Sequence, residues 1–284
     1  MHHIFLSPHL DDAVFSCGGT IASLINNKDK VTVITINTAS PLKVELPKKL
    51  QKFANYDERL LEDHNALNFL KTDFFYWGYT ERAFAKPEIT SLKDIFSTPK
   101  EGLEGFKNIE RIKNDIDNLF KKNENLHIYV PLGIGNHYDH LELFIAALQY
   151  IKENYAYNKF SFYEDAYTYF GNALRQRHLI ASAKLFTTSG SPVFMKLQGA
   201  IIGQFFKYAQ NQNSIKGDLS QLVKDLSFKM RLNPIKQFEE TKLHAMELYS
   251  SQIASFGGMH KIAPLVKKYH RFWGMSEPLW RIKT

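Results

Sequence analysis

The chain has 284 residues, 44% of them hydrophobic and 14% aromatic, enough for a large packed core. Lysine and arginine exceed the acids by 36 to 29, a net +7, but the cations are scattered, so they read as a solvated surface with no nucleic-acid partner expected. A lone cysteine, Cys17, excludes an intrachain disulfide. No stretch approaches the roughly 18 apolar residues of a membrane span or looks like a secretory leader, so no transmembrane segment and a cytoplasmic location are expected.

In chain order, Ile4-Phe5-Leu6 reads as a buried strand, Ser7-Pro8-His9-Leu10-Asp11-Asp12 as a polar turn, and residues 13–25 as a helix. Residues 31–36 form the strongest strand pattern, 37–47 a loop, 50–70 a helix and 74–77 a third strand. Residues 79–107, with Pro87, Pro99 and Gly102, look irregular. A helix over 109–120, a strand over 126–130, the polar cluster His137-Tyr138-Asp139-His140, a helix over 140–155 and a strand over 160–163 follow. Strands alternating with helices imply an α/β fold with a parallel sheet. Beyond Tyr163 the pattern turns mostly helical. Residues 193–209 are apolar enough to pack on the sheet or over a pocket, 236–255 read as a final helix, and the aromatic tail 272–282 shows little order of its own. We expect a single domain, with a catalytic core over 1–170 and a mostly helical extension over 171–284 that shapes the pocket.

The chemistry lies in the two polar clusters, each on a turn from strand to helix, where open α/β sheets bind ligands. A catalytic zinc site takes three protein ligands from His and carboxylate and leaves a position for water, whose pKa it lowers to about 7. His9, Asp12 and His140 supply that set. The i, i+3 spacing puts His9 and Asp12 on one side of the first helical turn and leaves Asp11 beside the metal as candidate general base. His137, three residues before His140, is the candidate group to stabilise an oxyanion or protonate a leaving amine. Together these residues suit metal-assisted amide hydrolysis. Taken singly, each histidine is more often a hydrogen-bonded structural residue, and an Asp-Asp pair is most often a helix cap. The pairing of two clusters at two strand ends is what favours the metal site.

The motif Ser7-Pro8-His9-Leu10-Asp11-Asp12 with Cys17-Gly18-Gly19, and Gly135-Asn136-His137-Tyr138-Asp139-His140 downstream, resembles the LmbE-like or PIG-L family of zinc-dependent N-acetylglucosaminyl deacetylases. The resemblance extends to Arg59-Leu60-Leu61-Glu62-Asp63, Tyr163-Glu164-Asp165, Lys242 and Tyr249-Ser250-Ser251-Gln252. It implies a Rossmann-like, mostly parallel sheet flanked by helices with a helical C-terminal extension, and removal of acetyl from an N-acetylated amino sugar, the expected small-molecule partner. By that similarity His9, Asp12 and His140 bind Zn2+ (Fe2+ being the alternative ion), Asp11 is the base and His137 the acid or oxyanion group. Arg59 faces the sugar, while Glu81 and Asp165 are further candidate substrate contacts, Asp165 and Tyr167 equally candidates to hold the end of the fifth strand. Two departures stand out: Leu10 replaces the usual proline, and Gly135 sits where some members carry a tyrosine. Competing readings are a catalytically idle sugar-binding relative and a non-haem iron oxygenase, since two histidines and a carboxylate also make a facial triad. The alternation of strands and helices disfavours the latter.

Overall fold

The computed structural model describes residues 1–41, 54–85, 95–96, 99, 101–170, 219 and 221–283. Their strands are β1 (His2–Ser7), β2 (Lys30–Asn37), β3 (Asp73–Tyr79), β4 (Leu126–Pro131), β5 (Phe160–Tyr163), β6 (Phe228–Pro234) and β7 (Ser276–Ile282). The main helices are α1 (Asp12–Asn26), α2 (Tyr56–Phe69), α3 (Ile109–Lys122), α4 (Tyr138–Asn154), α5 (Glu239–Glu247), α6 (Ser250–Ser255) and α7 (Met259–Phe272). The strands form one sheet in the order β3-β2-β1-β4-β5-β7-β6. The fold is therefore α/β, as the alternation implies. β1 pairs in parallel with β2 and β4, and β2 with β3; His2 stands opposite both Lys30 and Leu126. Beside β6 and β7, Lys283 N–H donates to Ser227 O and Ile235 N–H to Met275 O, which makes those two strands antiparallel. No described helix is long and apolar enough to cross a membrane.

The chain divides into two compact units, Met1–Ser91 with Leu126–Tyr129 and Arg231–Leu279, and Leu92–Asn125 with Val130–Met230 and Trp280–Thr284. In the first, β1 and β2 are buried almost end to end, the near-continuous apolar run of a parallel strand covered on both faces. Phe5 stacks flat on Tyr129 with ring centroids 4.2 Å apart. α1 is buried from Ala13 to Ala22, and its two glycines admit close neighbours: a Cβ at Gly18 would lie 3.0 Å from Lys242 Cγ, and one at Gly19 2.9 Å from Ile235 Cβ. Lys242 is fully buried, donating to Glu277 Oε1 at 2.6 Å and to Ser16 O at 3.2 Å. Glu277 also accepts from the backbone N–H groups of Gly19 and Thr20, so one buried ion pair ties β7 and α5 to α1. Burial and the neighbouring Lys242 push the His270 imidazole down to about 2, and its Nδ1 pairs with Glu239.

In the second unit α4 is buried almost all round, which explains its weak amphipathic pattern. Glu142 on α4 accepts from Asn108 N–H at 2.7 Å and its Nδ2 at 3.1 Å, holding the start of α3. Burial pushes the Glu142 carboxyl up to about 7. Trp280 donates from Nε1 to Glu164, a structural role for that aromatic.

Three expectations need correction or completion. The tail is ordered: residues 276–282 are β7, almost wholly buried. Its Ser-Glu-Pro opening hides the strand because Glu277 is neutralised by Lys242 rather than solvated. The expected helix over 236–255 is broken at Leu248 and Tyr249, where Glu62 draws the Ser251 N–H and the Ser250 and Ser251 hydroxyls and so starts α6 afresh. The irregular 79–107 segment contains a one-turn helix, Arg82–Ala85, and a 3-10 turn, Gly102–Gly105. Most of 171–230, including the apolar stretch 193–209, lies outside the described residues.

Candidate active site

The first polar cluster sits where β1 runs into α1. Ser7 Oγ donates to His9 O at 2.7 Å and accepts from Ala13 N–H at 2.9 Å, so serine rather than aspartate satisfies that end of the helix. The turn is gripped from β2, where the Asn37 backbone N–H and side-chain Nδ2 both donate to Pro8 O. Asp12 Oδ2 accepts from His9 N–H at 2.9 Å and lies 3.0 Å from His9 Nδ1, bringing the two expected ligands of this cluster together. Asp11 occupies the cap position without any side-chain cap bond, at φ 134° and ψ −34°. That backbone region is costly for a residue with a Cβ, and such strain collects at functional sites. Burial, then the charge of Asp12, pushes the Asp11 carboxyl well above its ordinary value, with Arg59 and His9 opposing.

Arg59 and Glu81, both buried, are a pair. Arg59 Nη1 lies 3.3 Å from Glu81 Oε2, which also accepts the Tyr56 hydroxyl at 2.6 Å. Burial works against the Arg59 charge, but Glu81, Tyr56 and Asp11 outweigh it and hold the guanidinium protonated. Burial likewise opposes Glu81, yet the charges of His9 and Arg59 keep it below the usual carboxylate range. Asp63, which also feels the Arg59 charge, carries no separate role in the sequence reading. It accepts from Tyr249 Oη at 2.7 Å and Tyr76 Oη at 3.1 Å, and burial raises it to about 6 against these bonds and Arg59. The signal for it was present, since Arg59 to Asp63 and Tyr249 to Gln252 both belong to the resemblance. They prove to be each other's partners, Asp63 with Tyr249 and Glu62 with Ser250 and Ser251.

The second cluster follows β4. His137 caps α4 and His140 lies in its first turn, their ring centroids 4.9 Å apart. His140 Nδ1 is 2.5 Å from Asp165 Oδ1, each side chain almost completely buried. The other oxygen, Asp165 Oδ2, accepts from Ile134 N–H at 2.8 Å. Expected as a substrate contact or strand-end anchor, Asp165 thus has one oxygen on His140 and the other on the Ile134 loop. This pair puts the imidazole proton on Nδ1 and the lone pair on Nε2, the arrangement by which carboxylates orient metal-binding histidines. Each cluster taken by itself carries donor types that a divalent ion accepts: buried imidazoles with an anionic backing in the second, and a His-carboxylate pair in the first. β1 and β4 are parallel neighbours over His2–Phe5 and Leu126–Tyr129.

The sequence model of PIG-L, described as GlcNAc-PI de-N-acetylase, matches residues 4–151. None of the curated proteins matches the chain. Among solved structures the chain is similar to a deacetylase–bog complex in the biosynthesis pathway of teicoplanin, at 18% identity over 100% of this chain and 98% of that one, TM-score 0.69. It is similar to the A40926 pseudoaglycone deacetylase Dbv21, at 18% identity over 99% and 96%, TM-score 0.65. It is also similar to the N,N'-diacetylchitobiose deacetylase from Pyrococcus horikoshii with its inhibitor MPG, at 14% identity over 99% and 83%, TM-score 0.53. At these identities the likeness shows the shared fold.

Proposed function

The chain belongs to the PIG-L family, the GlcNAc-PI de-N-acetylases, and from that membership we propose a metal-dependent N-deacetylase that releases acetate from an N-acetylated amino sugar or glycoside. His9, Asp12 and His140 hold one divalent ion in this reading, zinc or ferrous iron. Such an ion, when bound, supplies a Lewis acid and makes water a nucleophile at neutral pH. Asp11 accepts the proton of the attacking water at a carboxylate oxygen. As the carbonyl carbon becomes tetrahedral, His137 donates to the developing oxyanion or to the amine nitrogen, so that the C–N bond breaks with the amine leaving protonated. The Arg59–Glu81 pair presents fixed charge and a hydrogen-bond acceptor to sugar hydroxyls. The substrate class takes its support from the family and from the similar deacetylases, which are named for the biosynthesis of teicoplanin, for the A40926 pseudoaglycone and for N,N'-diacetylchitobiose.

The observation that carries this reading is the buried His140–Asp165 pair, which costs desolvation and gains its purpose from orienting Nε2 toward a cation. The test is acetate release by metal-loaded protein across a panel of N-acetylhexosaminides and their glycosides. Release that vanishes in Asp11→Ala while the metal stays bound is the expected result. Metal-loaded protein that releases no acetate from any member, or an Asp11→Ala variant with full turnover, would contradict it.

A further inference from the structure

Read as the acid or oxyanion group, His137 needs a fixed ring, and within its own segment the Asp139 carboxylate lies 3.9 Å from its Nδ1. His137 caps α4 from an extended backbone, φ −63° and ψ 130°, and makes no side-chain cap bond. The last torsion of an imidazole is broad, so what packs against the ring's faces helps to set its plane. Two aromatic rings surround it. Tyr167 lies parallel to the imidazole, 9° between planes and 6.5 Å between centroids, while Phe96 meets it edge-on at 5.1 Å and 89°. Phe96 and Tyr167 pack on one another at 5.6 Å and 82°, so the three rings close into a box. These separations fall within the range of attractive aromatic pairs. Room for the tyrosine comes from Gly135: a Cβ there would stand 3.0 Å from Tyr167 Cδ2 and 3.2 Å from Cγ. Tyr167 is itself held, because it lies inside the turn that Thr168 closes by donating from both N–H and Oγ1 to Asp165 O.

We propose that Tyr167 is a positioning residue of His137: its ring fixes the imidazole plane, and Gly135, which its φ of 94° already favours as glycine, leaves room for that ring. One short turn then serves both histidines, Asp165 orienting His140 by a hydrogen bond and Tyr167, whose ring also lies 5.5 Å from that of His140, orienting His137 by packing. The proposal rests on the reading of His137 as acid or oxyanion group. It makes the ring rather than the phenol hydroxyl the working part.

The test compares Tyr167→Ala, Tyr167→Phe, His137→Ala and the double variant His137→Ala/Tyr167→Ala, by steady-state kinetics, bound metal and the histidine ring resonances of the metal-loaded protein. Tyr167→Ala should lower kcat on the order of 10–100-fold, the cost of a misplaced catalytic group, with KM changed far less and bound metal unchanged. Tyr167→Phe should recover kcat. In the His137→Ala background the loss of Tyr167 should cost nothing further, since the two act as one unit. The ring-current shift of the His137 protons should survive in Tyr167→Phe and disappear in Tyr167→Ala. An equal fall in kcat with and without His137, a Tyr167→Phe as poor as Tyr167→Ala, or a Tyr167→Ala with intact kcat or depleted metal would overturn the proposal. If Tyr167→Ala fails to fold, Tyr167→Leu, which keeps bulk without a ring, is held to the same outcomes. Full turnover in His137→Ala would instead remove the role assigned to His137, and the resonances would still report whether Tyr167 fixes that ring.

Discussion

In the proposed reaction Asp11 pairs a chemical role with a conformational cost. Its φ of 134° belongs to glycine rather than aspartate, and holding a side chain there costs about 1–3 kcal/mol. Replacement by glycine should therefore stabilise the fold by about 1 kcal/mol in denaturant titration while abolishing acetate release. A destabilised Asp11→Gly would show that the backbone there carries no such strain. Asp165 makes the complementary case, a residue whose proposed contribution is orientation of His140. Asp165→Asn should weaken metal binding about 10–100-fold while leaving the chain folded, as measured by competition with a chelator; unchanged affinity would separate Asp165 from the metal. The roles proposed for His9, Asp11 and Asp12 come from residue type and spacing, which limit what such a cluster can do. That of Asp165 was only half legible, because its partner His140 lies 25 residues away and nothing local marks the pair.

At the scale of elements, the buried Lys242–Glu277 pair joins three segments distant in sequence. Glu277→Gln should leave the Lys242 ammonium buried without its counter-charge and cost about 3–5 kcal/mol, visible as a lower denaturation midpoint with an unchanged denaturant slope. Gly19→Ala should cost about 1–3 kcal/mol by overpacking against Ile235. The same pair explains why β7 was missed. A strand beginning Ser-Glu-Pro offers no alternation, and its acid is intelligible as buried only once Lys242 is known to face it. The break between α5 and α6 was hidden for a similar reason, since Glu62 supplies the cap from another helix. The parallel strands β1, β2 and β4 were plain, because burial on both faces writes itself as a near-continuous apolar run broken only by residues such as Thr32, Thr35 and His127.

For the molecule as a whole, buried carboxyls set the pH dependence of stability. Asp63 is raised from 3.8 to about 6, chiefly by burial. Its native state holds the proton more tightly than the unfolded chain does. The stabilisation is thus complete below about pH 4 and lost as pH rises through about 6, a change on the order of 3 kcal/mol. Asp63→Asn should flatten this part of the stability profile, and a profile in that variant as steep as the wild type's would assign the slope elsewhere. The α/β class and both polar clusters could be read from the chain because each is marked by local pattern; the ordering of the sheet beyond β5 depends on contacts that no local pattern records. The central claim is that His9, Asp12 and His140 share one ion. Metal content of the purified protein and of His9→Ala, Asp12→Ala and His140→Ala tests it most directly: one tightly bound divalent ion per wild-type chain, lost in each variant, is the prediction. Full retention of that ion in any of the three variants, or no ion bound by the wild type, would contradict it.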